Sequence, residues 1–319
     1  MKNIIIVFLC QNALELNVII LFYLKITLKT FKHAIRNNDF ALSAEIYLRP
    51  ETNSKSLLQQ TDILRECVDG ILLTDNQYGQ LHLSTIAAAS ILLQEGVDPI
   101  VQLTSRNRNR IALISDLLGA ASIGVTSLML VAGERAPEHF QPRPKPVLDV
   151  NAIDLIRIAS TVNVDDKLTV KPDFLLGGAV TPVMPKADWK AKQLREKIDA
   201  GAHYLQTHIC MDLQLLRRYL RHLVTDKLIQ RTSILVSVAI LESAEDAQWL
   251  KDNRPNVMLP EGIVQRLKNA NDPQKEGILI TSELINEMSK IPGIAGVNLI
   301  ATKDLTTIPE VIALANLND

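Results

Sequence analysis

Eight short apolar runs, regularly spaced and separated by helical patterns, constrain this chain more than any other feature. They are ALSAEIY (41–47), DGILLTD (69–75), PIVQLT (99–104), SLMLVAG (127–133), DFLLGGA (173–179), HYLQTHI (203–209), SILVSVAI (233–240) and GVNLIA (296–301). Most are continuous rather than alternating, as expected of strands buried on both faces. Stretches such as 111–124 and 189–202 between them carry helical periodicity. Strands alternating with helices imply a parallel sheet. Eight such units within about 290 residues predict an α/β fold, a (β/α)8 TIM barrel, rather than an open doubly wound sheet. No GxGxxG turn follows the first strand, which removes the main argument for a dinucleotide-binding Rossmann fold.

Residues 1–27 stand apart as an apolar N-terminal extension, and residues 28–319 are expected to form the single barrel domain. Residues 4–10 and 18–24 are strongly apolar, but Gln11, Asn12, Glu15 and Asn17 interrupt them. A spanning helix needs about 20 mostly apolar residues, and no small-residue cleavage site marks a secretory signal. A dispensable extension, a membrane anchor through residues 4–24 and an extra packed helix all remain open. The formal net charge of −1 gives no reason to expect nucleic acid as a partner. The three cysteines, Cys10, Cys67 and Cys210, lack metal-ligand spacing and fit a reducing, cytoplasmic setting without bound metal.

Barrel chemistry sits at the carboxyl ends of the strands. Glu134 closes LMLVAGE, just after Gly133. Thr74, Asp75 and Asn76 end the second strand; Gln102 and Thr104, then Ser105 and Arg106, end the third. Thr181 follows the fifth, and Thr207 and His208 end the sixth. Glu45 lies inside the first strand between Ala44 and Ile46, and an inward glutamate needs a partner or a function. Arg106 is one candidate partner. Glu134 also reads as a solvated loop residue, His208 as a satisfied barrel histidine, Lys197 as a solvated helix residue, and Asn109 as the start of the helix at Ile111. Two carboxylates and an imidazole around one cavity suit proton transfer, and spacing alone names no substrate. The Pro-rich stretch 134–149 is a long loop of the kind that is functional or disordered.

The ordered segments SAEIYLRPE, TDNQYG, VQLTSRNRN, GAASIGV, LMLVAGE and KIDAGAHYLQTH resemble methylenetetrahydrofolate reductases, over residues 40–314. The resemblance implies a flavin-dependent (β/α)8 barrel that reduces 5,10-methylenetetrahydrofolate to 5-methyltetrahydrofolate, with a hydride passed from NAD(P)H through FAD. It assigns Glu45 as the acid that protonates a folate nitrogen. It gives Glu134, standing for the family's aspartate, a role in folate contact and flavin tuning, and His208, standing for a glutamine, a role in pterin binding. Thr74, Gln102, Thr104, Ala132, Gly133, Thr181 and Lys197 fall where the family holds FAD, with Lys197 matching a lysine that reaches the phosphates.

The departures cluster around the flavin. Ala132 replaces an Arg or Thr, Gln102 a common histidine, Asn107 an aspartate, Thr181 an Asn or His, and Val238 a glycine, so that Val238 is expected to crowd the pocket. These changes keep an alternative in view: a non-catalytic or regulatory folate-binding relative with a degraded flavin site and a possible protein partner. An unrelated barrel enzyme acting on another pterin or a phosphorylated ligand is a further reading. A homo-oligomer is expected.

Overall fold

The structure, a computed structural model, describes residues 30–169, 171–186, 188–254 and 256–317. The expectations for residues 1–27 lie outside the described residues. No described helix is long and apolar enough to cross a membrane.

Eight parallel strands close into a barrel in sequence order: β1 (Ala41–Ile46), β2 (Gly70–Leu73), β3 (Pro99–Thr104), β4 (Ser127–Val131), β5 (Leu175–Val180), β6 (Tyr204–Ile209), β7 (Ser233–Ile240) and β8 (Ile294–Ala301). β8 pairs with β1 to complete the ring, with Ser43 opposite Asn298. The described helices are α1 (Phe31–Arg36), α2 (Ser54–Leu64), α3 (Thr85–Gln94), α4 (Arg110–Ser122), α5 (Ala152–Val164), α6 (Lys192–Asp199), α7 (Leu213–Thr225), α8 (Ala244–Asn253), α9 (Glu261–Asn269), α10 (Pro273–Ser289) and α11 (Thr307–Ala315). Short polar side chains accept from backbone N–H groups that the first turn leaves free. Asn109 caps α4, as its place in the sequence suggested, and Asn151, Asp212, Ser243 and Asp272 cap α5, α7, α8 and α10.

The apolar side chains sort into two bodies. The larger lies between sheet and helices, and Val238 belongs to it. The smaller fills the lower barrel with Ala41, Leu72, Ile100, Met129, Leu175, Tyr204 and Leu235. Phe31 of α1 plugs its base, edge-on to Tyr204 with ring centroids 5.3 Å apart. Tyr204 donates its hydroxyl to the carbonyl of Leu128 at 3.0 Å. Its ring lies where a Cβ on Gly177 would stand only 2.1 Å from Cζ, so this strand position admits only glycine. Side chains alternate along a strand, and further up the inward rows of β1, β3, β6, β7 and β8 the character changes to Ser43 and Glu45, Gln102, Gln206, Ser237 and Asn298, while β4 and β5 stay apolar with Val131 and Ala179. The lower barrel is therefore a packed plug and the upper barrel a polar floor.

Candidate active site

That floor opens into a cavity of about 2090 Å³. Glu45, Gln102, Ala132, Gly133, Glu134, Thr181, Lys197 and His208 all line it. The two carboxylates that the sequence singled out, from β1 and from the loop after β4, thus face one space. Thr74 and Thr104 do not line the cavity. The Thr74 hydroxyl hydrogen-bonds between Ile46 O and Leu48 N, each at 3.4 Å, and the Thr104 hydroxyl donates to Asp75 at 2.9 Å. Val238 does not line it either. Its neighbour Ser237 does, and the alternation of the strand turns Val238 outward, so the expected crowding of the pocket does not occur.

Glu45 is the chemically distinctive group. Its side chain is only half-buried in the barrel, but its carboxyl is strongly desolvated, and it does not pair with Arg106. Arg106 instead donates through Nε to Gly133 O at 3.2 Å. Desolvation by burial pushes the Glu45 pKa up from 4.5 to about 7, against the lowering effect of hydrogen bonds from Asn298 and Gln77 and of the more distant Arg254 charge. Asn298 Nδ2 donates to Glu45 Oε1 at 3.0 Å, and Ser43 Oγ donates to Asn298 Oδ1 at 2.9 Å. A carboxyl balanced near neutrality suits general acid work.

Asp75 is the opposite case. It is fully enclosed and accepts from Thr104 N at 2.7 Å, from Arg108 Nη1 at 2.6 Å and from His82 Nε2 at 3.0 Å. Burial alone would raise its pKa, but the His82 and Arg108 hydrogen bonds outweigh it and hold the group at about 2. Asp75 N donates to Gln102 Oε1 at 2.8 Å, which orients Gln102 on the floor. Arg108 also meets Asp116 at 3.0 Å. Its carboxylates therefore come from Asp75 and Asp116, while Asn107 stands exposed and away from the cavity.

At the mouth, Glu134 is held rather than free. Arg254, following α8, donates to both of its oxygens at 3.1 Å. The same guanidinium lies 3.6 Å from the centre of the Tyr78 ring and 5.9 Å from that of Trp249, and Tyr47 meets Tyr78 edge-on at 5.4 Å. Tyr78 sits on a turn in which Asn76 (φ 56°), Tyr78 (φ 59°) and Gly79 (φ 67°) are all left-handed. Gly133 is also left-handed, at φ 84°, and a Cβ there would meet Thr104 Cβ at 2.7 Å. The close approach that this glycine permits is therefore that of Thr104.

His208 is open to the cavity yet walled by protein. Desolvation, with Lys197 and Arg254 nearby, lowers its pKa, so the ring is held neutral and can donate or accept. Lys197 gives its ammonium to Ala179 O, and burial lowers its pKa. Lys186, Lys190 and Lys192 line the same wall. Asn298, Gln77, Tyr78, Trp249 and Arg254 were not identified from the sequence. Asn298 carried a signal, since a lone asparagine inside GVNLIA raises the same question as Glu45 inside ALSAEIY.

With this geometry in hand, comparison with known proteins is informative. A family model described as methylenetetrahydrofolate reductase matches residues 30–316. No curated protein sequence matches the chain. Among solved structures, a Clostridium thermocellum protein described as binding two copies of 5-methyl-5,6,7,8-tetrahydrofolic acid aligns with TM-score 0.65 and 16% identity, over 89% of this chain and 97% of that one. DmoA from Hyphomicrobium sulfonivorans aligns with TM-score 0.51 and 9% identity, over 86% of each chain. At these identities the structural likenesses speak for the fold alone.

Proposed function

This chain belongs to the methylenetetrahydrofolate reductase family, and on that premise we propose that it binds a reduced folate in the upper barrel and reduces 5,10-methylenetetrahydrofolate to 5-methyltetrahydrofolate. The observation that supports this most is Glu45, a carboxyl poised near neutrality on the floor of a cavity large enough for a pteridine and a second flat ring. A folate-binding structural neighbour agrees with the ligand class.

The residues present fit FAD. Lys190, Lys192 and Lys197 line the cavity and would supply cations for a diphosphate, and Ala132 adds little side-chain bulk beside the amide of Gln102. When bound, the flavin supplies the hydride, with NAD(P)H as its source. The acid–base work belongs to this chain. Glu45 enters protonated, and its O–H bond breaks as a folate nitrogen gains the proton. The methylene bridge then opens to an iminium, and Glu45 is left as a carboxylate held by Asn298. Glu134 accepts from pterin N–H groups, and the neutral His208 donates or accepts at the pterin edge.

The test is Glu45→Gln. Reduction of methylenetetrahydrofolate should vanish while any reduction of flavin by the nucleotide persists, because the acid serves only the folate half. Equal loss of both half-reactions in a folded variant would contradict the assignment. One observation favours a second reading, a folate-binding protein without redox activity: Glu134 is already taken by Arg254. A colourless purified protein that still gains thermal stability with tetrahydrofolate would support it.

A further inference from the structure

The hydrogen bonds beneath Glu45 are directional. Ser43 and Asn298 are Cα partners across the β1–β8 seam, both fully buried, and the Ser43 hydroxyl donates to Asn298 Oδ1. With its acceptor occupied, the amide must turn its N–H donors toward Glu45, and one reaches Oε1. A proton on Oε1 would collide with that N–H. We propose that Asn298, locked by Ser43, is a positioning residue that occupies one oxygen of Glu45 from inside the barrel and so reserves the other for the proton delivered to the ligand. The inference rests on the reading of Glu45 as the acid.

The role is more than steric. When the Oε2–H bond breaks and the ligand nitrogen takes the proton, the electron pair stays on the carboxylate. A hydrogen bond to a charged group is worth more than one to its neutral form, so the Asn298 contact strengthens as the proton leaves. Interactions that grow along the reaction coordinate accelerate it. The other groups acting on this carboxyl are Gln77, from the turn after β2, and Arg254, from beyond α8. Of these, Arg254 alone is charged and it is engaged with Glu134, whereas Asn298 is anchored in the barrel wall.

The decisive experiment titrates Glu45 directly, by infrared difference spectroscopy of its protonated carboxyl, with Glu45→Gln as the subtraction reference. Asn298→Leu, similar in size but without a donor, should move the titration upward by roughly one to two pH units, the equivalent of a hydrogen bond to a charged group. Ser43→Ala should move it the same way by less, since the amide is then free to rotate. Single-turnover folate reduction in Asn298→Leu should slow roughly 10- to 100-fold, with its alkaline limb displaced upward and tetrahydrofolate affinity unchanged. An unmoved titration in Asn298→Leu overturns the proposal. If that variant does not fold, an unmoved titration in Ser43→Ala overturns it. A raised titration in a protein whose wild type never reduces folate would sustain the positioning role and defeat the reductase reading.

Discussion

Replacing Glu45 by Gln should stabilise the protein, and only at the upper end of the pH range. A carboxyl that ordinarily titrates at 4.5 but here near 7 binds its proton more tightly in the folded state than in the unfolded chain. Between those values the folded state holds more protons, so stability falls as pH rises from about 4.5 to about 7 and is flat above. At 1.36 kcal/mol per pH unit the full penalty is about 3 kcal/mol. The side chain is half-buried rather than fully enclosed, so solvent screening makes roughly 2 kcal/mol the better expectation. Glutamine keeps an Oε1 acceptor for Asn298 and removes the charge. For a chain of this size about 1 kcal/mol corresponds to roughly 2 °C in melting temperature. Glu45→Gln should therefore melt roughly 4 °C above wild type near pH 8 and close to it near pH 5. Asp98, also raised by burial to about 7, is common to both proteins and cancels in the difference. The same increment at both pH values, or a loss at the higher one, would refute the claim that desolvation dominates at this carboxyl.

Other perturbations have equally definite outcomes. Asp75→Asn should destabilise by about 3–5 kcal/mol in urea unfolding, because it leaves Arg108 buried without its main partner; a loss under about 1 kcal/mol would remove Asp75 as the hub. In the wild type, the depressed Asp75 pKa contributes about 2 kcal/mol that is present above 3.8 and lost as pH falls through about 2, which acid unfolding should show as a transition absent from Asp75→Asn. Gly177→Ala forces a methyl into the Tyr204 ring and should lose about 1–3 kcal/mol or more; a neutral result would mean that Tyr204 can move. Arg254→Met frees Glu134 for ligand. Tetrahydrofolate binding by calorimetry should tighten about two- to fivefold, the worth of a partly exposed ion pair, whereas weaker binding would show that Arg254 itself holds the ligand.

The barrel was legible because each strand is a buried apolar run and the helices between them are periodic. Glu45 was legible because charge inside such a run demands a reason. What escaped notice was what alternation decides. Ser237 and Val238 differ only in parity, and parity put the serine in the cavity and the valine outside it. Asn298 hid in the same way, and its value lies in pairing with Ser43 across the seam that closes the ring, 255 residues away in sequence. The Arg254–Tyr78–Glu134 cluster joins three separate loops. Loop ends carry no periodic signal, and within the left-handed turn Asn76 and Gly79 are residues suited to positive φ, whereas Tyr78 at φ 59° is not.

The central claim is that the Glu45 carboxyl gives its proton to a bound folate. The most direct measurement is the pH dependence of single-turnover methylenetetrahydrofolate reduction in wild type and Glu45→Gln, with tetrahydrofolate affinity recorded alongside. The expected result is a wild-type rate that falls by half near pH 7, where Glu45 loses its proton, and no reduction in the variant at any pH despite intact binding. A variant that reduces folate at the wild-type rate, or a wild-type rate indifferent to pH across neutrality, would contradict it.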